Sequence, residues 1–287
     1  DAGCTPAVTE RILFGWRQGW LDGFSIIANG EACELVRRDL SLFADRSARV
    51  AVHLNLSEGK PSSGSLKNSP LVNSDGILKN TFGDILRLWL TTSRQRRLSL
   101  LDEIREEWRL QIREVKSLVS PRTVSCLDGH NHVHMLPFLF PLAASLAFEE
   151  SIPEVRISRE SLFFSTQVSE SMNLHFMVNV AKFLVLRWCA FRAAPVARDM
   201  QLKSPDALVG VLYSGMMSPG AVRAAIRRAK TYGIRRAEVV FHIGRALPSE
   251  ASRWNHLPSA RDFFLSPDRD SEFQALQEIK GTVHNEA

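Results

Sequence analysis

The chain has 287 residues, 45% hydrophobic and 23% charged, a composition that excludes a disordered polymer. Thirty-six Lys and Arg against thirty-one Asp and Glu leave +5. That excess is spread along the chain rather than gathered on one element, so nucleic acid is not expected as a partner.

Four cysteines (Cys4, Cys33, Cys126 and Cys189) form no Cys-x-x-Cys pair, which argues for a reducing, cytoplasmic setting. No stretch offers about 20 uninterrupted apolar residues. Residues 136–148 are punctuated by Pro137 and Pro141, and residues 176–194 contain Lys182 and Arg187.

In chain order, Thr5-Pro6 opens a first helix, with Thr as cap and Pro at the first helical position. Strands are expected over residues 23–28 and 48–56. Residues 61–75, rich in Ser, Asn, Gly and Pro, read as a surface excursion. Leu100, Leu101, Ile104, Trp108, Ile112 and Val115 then recur at helical spacing. Further strands are expected over 123–127, 154–158, 207–213 and 237–242, with a long apolar and basic helix over 172–200. Ser218-Pro219 opens another helix that Gly233 stops. Residues 247–270 read as irregular and 281–287 as a tail. Uninterrupted alternation of strand and helix, with no internal repeat, predicts one domain built on a parallel sheet or a (β/α) barrel.

Three of the eight histidines fall within five residues, in Asp128-Gly129-His130-Asn131-His132-Val133-His134. Spaced by two, they share a face while the strand lasts. Imidazoles beside a carboxylate suit Zn²⁺ and its neighbours, so the run reads as a metal site rather than a solvated loop. In residues 50–56, alternation puts Ala51, His53 and Asn55 on one face and Val52, Leu54 and Leu56 on the other. Alone, His53 reads as a hydrogen-bonded core or rim histidine rather than a ligand, and His242 at the end of 237–242 is unremarkable. Three histidine-bearing strand ends become informative together, because a barrel gathers its strand ends.

Several motifs extend this pattern: Asp1-Ala2-Gly3-Cys4-Thr5-Pro6, Phe24-Ser25-Ile26-Ile27-Ala28-Asn29-Gly30 and His53-Leu54-Asn55-Leu56-Ser57-Glu58-Gly59-Lys60-Pro61. Asp102 through Glu107 and Gln111, and Leu127 through His134 with Pro137, complete the set. In them the chain resembles the YdjC-like carbohydrate deacetylases, which include chitooligosaccharide deacetylases and members associated with hopanoid biosynthesis. The likeness runs from Asp1 to about Gly244, and residues 127–134 carry its most specific motif.

The resemblance implies an α/β fold, a distorted TIM-like (β/α) barrel of about seven strands with the first missing or truncated here. It implies a metal-dependent hydrolase that removes acetyl groups from N-acetylated sugars or oligosaccharides, cleaving a linear amide C–N bond. One divalent ion, Mg²⁺ by family habit or Zn²⁺ by donor softness, is held by Asp1, His53 and His130. Three protein ligands leave a position open for water. Asp128 orients a ligand imidazole or binds a sugar hydroxyl, and His242 passes a proton to the leaving amine. Asn55, His132, His134 and Arg156 support the ligands or line the substrate cleft, Arg156 being equally a structural ion pair.

The departures from the family concern its first strand and first aspartate, which would precede Asp1; a longer parent protein is the simpler reading. Cys126 stands where many members carry histidine, Ile243 where they carry proline, and Ala2 where they carry an aromatic residue. These bear on substrate preference more than on the reaction. The helix over 172–200 is similar to that of the hopanoid-associated branch. A barrel helix or homodimer contact is preferred for it over a cover for a lipid-linked substrate or a peripheral membrane contact. The competing readings are a catalytically impaired barrel that binds sugar or a protein, and a glycoside hydrolase. The latter needs two carboxylates roughly 5–10 Å apart, which the histidine-rich strand ends fit less well.

Overall fold

The computed structural model describes residues 1–165, 170 and 174–285. Short apolar runs alternate with amphipathic helices in the order α1 (Pro6–Arg17), β1 (Gly23–Ile26), α2 (Cys33–Leu42), β2 (Arg49–Leu54), α3 (Phe82–Thr91), α4 (Arg94–Val119) and β3 (Cys126–Gly129). There follow α5 (Phe140–Glu149), α6 (Leu174–Asp199), β4 (Ala207–Val209), α7 (Pro219–Thr231), β5 (Ala237–Val239), α8 (Pro258–Leu265) and α9 (Asp268–Asn285). Met172, where the long apolar helix was expected to begin, lies outside the described residues. α9 continues through Asn285, into the stretch expected as a tail.

Strands β1, β2 and β3 form one parallel sheet in that order, and β4 and β5 a second. Isolated parallel bridges extend the first: Ala2 beside Ile26, Val155 beside Leu127, and Lys203 beside Glu154. Leu208 N donates to Arg159 O, linking this edge to β4. The result is a broken arc. The closed barrel expected from the resemblance is not found, since among the described residues no ladder joins β5 back to Ala2.

The strands are shorter than their apolar runs because buried side chains take the backbone groups a neighbouring strand would use. Gln111 of α4 accepts from Asn55 N and donates to Asn55 O, both at 2.9 Å, ending β2 at Leu54. Glu160 accepts from Gly210 N at 2.7 Å and Leu212 N at 2.8 Å, ending β4 at Val209. Glu272 of α9 accepts from His242 N at 2.5 Å, beyond the end of β5.

Burial pushes the Glu160 carboxyl up to about 7, against its backbone hydrogen bonds. A carboxyl whose pKa is raised on folding stabilises fully below its unfolded value, and that contribution is lost as pH rises through the folded one. About 1.4 kcal/mol per unit makes the effect on the order of 3 kcal/mol. Urea midpoints are therefore expected to fall between pH 5 and 8 by more in the wild type than in Glu160→Gln. Parallel curves for the two would contradict the assignment.

The α4 stripe faces the core, with Leu100, Ile104, Trp108, Ile112 and Val115 at most 1% exposed and Leu101 partly buried. Three details differ from expectation. Thr5 precedes α1 but its hydroxyl does not cap the helix and lies buried without a partner among the described residues. The segment over 61–75 is no free excursion: Leu66 and Leu71 are buried, and Glu107 accepts from the Ser62 and Ser63 amides. Residues 247–270 are largely helical, with a 3₁₀ turn over Pro248–Trp254 and then α8. The apolar side chains that pack there, Trp254 and Phe264 stacked at 4.6 Å, were too sparse in sequence to show a period.

Candidate metal and catalytic site

The parallel register of β2 and β3 sets His53 opposite Asp128. Both side chains emerge on the inner face, and His53 Nδ1 meets Asp128 Oδ1 at 2.7 Å. Ala2, bridged to β1, holds Asp1 nearby, with Asp1 Oδ1 3.0 Å from His53 Nε2 and 3.2 Å from His130 Nδ1. Gly30 permits this placement, because a Cβ there would sit 1.9 Å from the carbonyl oxygen of Gly3. One donor atom each from Asp1, His53 and His130 lies within 4.8 Å of the others.

The second nitrogen of each ring faces a buried carboxylate. Asp128, fully buried, also accepts from Ser25 Oγ at 2.6 Å and pairs with Arg156. Burial works to raise its pKa, yet Arg156, His53 and Ser25 hold it well below the usual carboxylate range. Glu58, also fully buried, lies with Oε1 3.0 Å from His130 Nε2, off the line of a straight hydrogen bond. Its Oε2 accepts from Arg253 Nε at 2.9 Å and Trp254 Nε1 at 2.8 Å. Burial again opposes ionisation, and His130 and Arg253 overcome it.

These residues fit a divalent ion. Two imidazoles and a carboxylate converge, and each imidazole is oriented from behind by an acid, the arrangement that fixes tautomer and ring direction in metal sites. Burial pushes the His53 imidazole down to about 4 despite the pull of Asp128, so its lone pair is free at neutral pH.

Other expected residues distribute unevenly. β3 ends at Gly129, and Asn131 and His132 both adopt left-handed backbone, φ 52° and 55°. The chain turns there, so the three histidines do not share a face. His130 meets Asp1, His132 Nδ1 meets Ser158 Oγ at 2.8 Å, and His134 is fully buried with Nε2 2.9 Å from Arg156 O. His132 borders the adjoining cavity and His134 does not. Asn55 is also away from the cavity: past the end of β2, its Oδ1 accepts from Ser57 N and Glu58 N and its Nδ2 donates to Glu58 O. It shapes the turn that presents Glu58.

Arg156 continues from Asp128 to Glu238 of β5, and Glu238 accepts from Arg49 at 3.3 Å. The cavity they border measures about 1120 Å³ and reaches Asp1, His53, His130 and His242. His242 stacks edge-on against Phe263 at 5.3 Å, and its Nδ1 is buried without a partner among the described residues. Burial, then Arg269, lowers its pKa well below the usual imidazole value.

Sequence reasoning missed Glu58, Glu238, Arg253 and Trp254. Glu58 sat inside a quoted motif, but nothing in its spacing marked it. Only the packing of the 248–254 turn onto residue 58 does so.

A family model described as YdjC-like protein matches residues 1–280. A carbohydrate deacetylase of Danio rerio is 26% identical over 298 aligned residues, covering 97% of this chain and 90% of that one. A chitooligosaccharide deacetylase of Escherichia fergusonii is 30% identical over 163 residues, 57% of this chain and 58% of its own. Among solved structures, an Enterococcus faecalis protein assigned provisionally to cellobiose-phosphate cleavage superimposes with a TM-score of 0.59 at 18% identity. That alignment covers 95% of this chain and 90% of the other, and the likeness is one of fold.

Proposed function

The chain belongs to the YdjC-like protein family, and from that membership we propose that it is a carbohydrate N-deacetylase, a hydrolase removing acetyl groups from N-acetylated sugars. The observation that carries the reading is the convergence of Asp1, His53 and His130 beside a large cavity, each imidazole backed by a buried carboxylate. The names of the two deacetylase relatives support the substrate class. On this reading the broken arc is a distorted (β/α) barrel left open beside β5. Four unpaired cysteines support a reducing, cytoplasmic setting.

Asp1, His53 and His130 would hold one divalent ion, and two imidazole donors favour Zn²⁺ over Mg²⁺. When bound, such an ion supplies Lewis-acid polarisation of an amide carbonyl and lowers the pKa of water. The chain's own residues do the rest. Asp128 and Glu58 keep the two rings turned toward Asp1, and Arg156 keeps Asp128 ionised. As water adds to the acetyl carbon and the C–N bond breaks, the water's proton passes through His242 to the departing nitrogen.

The test is acetate release from N-acetylated chitooligosaccharides by protein stripped of metal and reloaded with Zn²⁺ or Mg²⁺. No acetate under any loading would sink the reading and leave a sugar-binding role. His242→Ala is expected to keep its metal content while turnover falls by about 10² to 10⁴. Metal loss equal to that of a ligand variant would make His242 a ligand instead.

A further inference from the structure

α6 is apolar on two opposite sides. Phe176, Phe183, Leu186, Ala190 and Ala193 face the core and are at most 5% exposed. Met177, Leu184, Trp188 and Phe191 are 60%, 59%, 57% and 77% exposed. Spaced by seven, four and three, these four form a single outward stripe. At 100° per residue, Arg187 and Arg198 flank it on one side and Arg192 on the other. α6 carries no Asp or Glu before its last residue, Asp199, which lies 3.6 Å from Arg198. Arg187 and Arg192 are exposed and make no ion pair among the described residues.

We propose that this face of α6 docks on an anionic lipid surface. Contiguous exposed apolar area mixed with aromatic rings marks a contact site, and the charges select the occupant. A second copy related by a two-fold axis would press the same arginines together with no carboxylate on the stripe to meet them, which is unfavourable. An anionic bilayer satisfies both halves of the pattern: the stripe enters the headgroup boundary while guanidinium groups take lipid phosphates. The helix would lie on the surface, since no helix among the described residues is long and apolar enough to cross a membrane. We prefer this occupant to the homodimer expected from sequence because Arg187 and Arg192 make no ion pair among the described residues.

Val178, Lys182 and Val185 of α6 border the cavity, and the two valines are 49% and 45% exposed. The cavity therefore opens along the edge of the docking face.

Docking is tested without substrate. The full chain is sedimented with vesicles of phosphatidylcholine, and of phosphatidylcholine with phosphatidylserine, at low and high salt. Binding is expected only to the anionic vesicles and to fall with salt. Arg187→Gln/Arg192→Gln and Trp188→Ser/Phe191→Ser should each weaken it by about tenfold or more with unchanged circular dichroism. Absence of binding at low salt would overturn the proposal. So would a stable dimer by light scattering that the Trp188→Ser/Phe191→Ser variant dissociates, since the face would then belong to a second copy. Neither result bears on acetate release from a soluble oligosaccharide, so the two readings fail separately.

Discussion

Replacing His130 with alanine is expected to abolish metal uptake and acetate release together. Asp1 Oδ1, His53 Nε2 and His130 Nδ1 are the three donor atoms gathered here among the described residues, and the opposite nitrogen of His130 faces Glu58. On the proposed reading, losing one of three ligands would remove much of the affinity, and losing the ion would remove both carbonyl polarisation and the acidified water. A fall in turnover of at least about 10³-fold follows. Metal content by mass spectrometry after dialysis, read beside acetate release, is the measurement. A variant that keeps stoichiometric metal would show that His130 is not a ligand. One that loses metal yet keeps activity would show that hydrolysis does not need it. The void beside Glu58 also leaves a buried carboxylate short of a partner, so a urea titration should accompany both readings.

The second large effect concerns Asp128→Asn. The substitution conserves shape but removes the charge that faces His53 Nδ1 and Arg156. Arg156 is only 9% exposed and retains Glu238 alone. Breaking a buried pair from one side costs up to about 3–5 kcal/mol, and the Glu238 carboxylate that Arg156 keeps offsets part of that. Losing the acid behind a ligand imidazole costs about 10- to 100-fold in metal affinity. Arg156→Met made together with Asp128→Asn should return part of the stability, as the guanidinium that has lost one of its two carboxylates is then gone. It should return none of the metal affinity, because His53 still lacks its acid. A double-mutant cycle in both quantities separates the two roles of Asp128. Recovery of metal affinity in the double variant would mean that Arg156, not the acid, had disturbed the centre.

What could be read from the residues divides along physical lines. His53, His130 and Asp1 were legible because strand ends and a specific motif carried them, and the structure brings them together. The alternating order of strands and helices was legible for the same reason that it forms, namely apolar period. Strand ends were not, because Gln111, Glu160 and Glu272 intercept backbone groups from distant places in the chain. Periodicity reports which residues prefer extension, not which polar side chain will end a ladder. The shared face of His130, His132 and His134 failed for a local reason: two consecutive left-handed residues turn the chain after Gly129. Glu58 was invisible because its partners, Arg253 and Trp254, lie in a segment without a readable period.

That last contact also dates the centre. Glu58 and Trp254 are 196 residues apart, and their hydrogen bond closes most of the chain into one loop. Lengthening a loop costs little at equilibrium, about 0.6 kcal/mol per doubling, but contacts of such wide separation form slowly. During synthesis, residues 1, 53 and 130 leave the ribosome long before residue 254 exists. Until then the carboxylate behind His130 has neither Arg253 nor Trp254 to settle it in a buried position. The carboxylate that backs His130 is therefore settled late in the life of the nascent chain, and an ion held there as proposed would meet its finished surroundings only once residues 253 and 254 have docked.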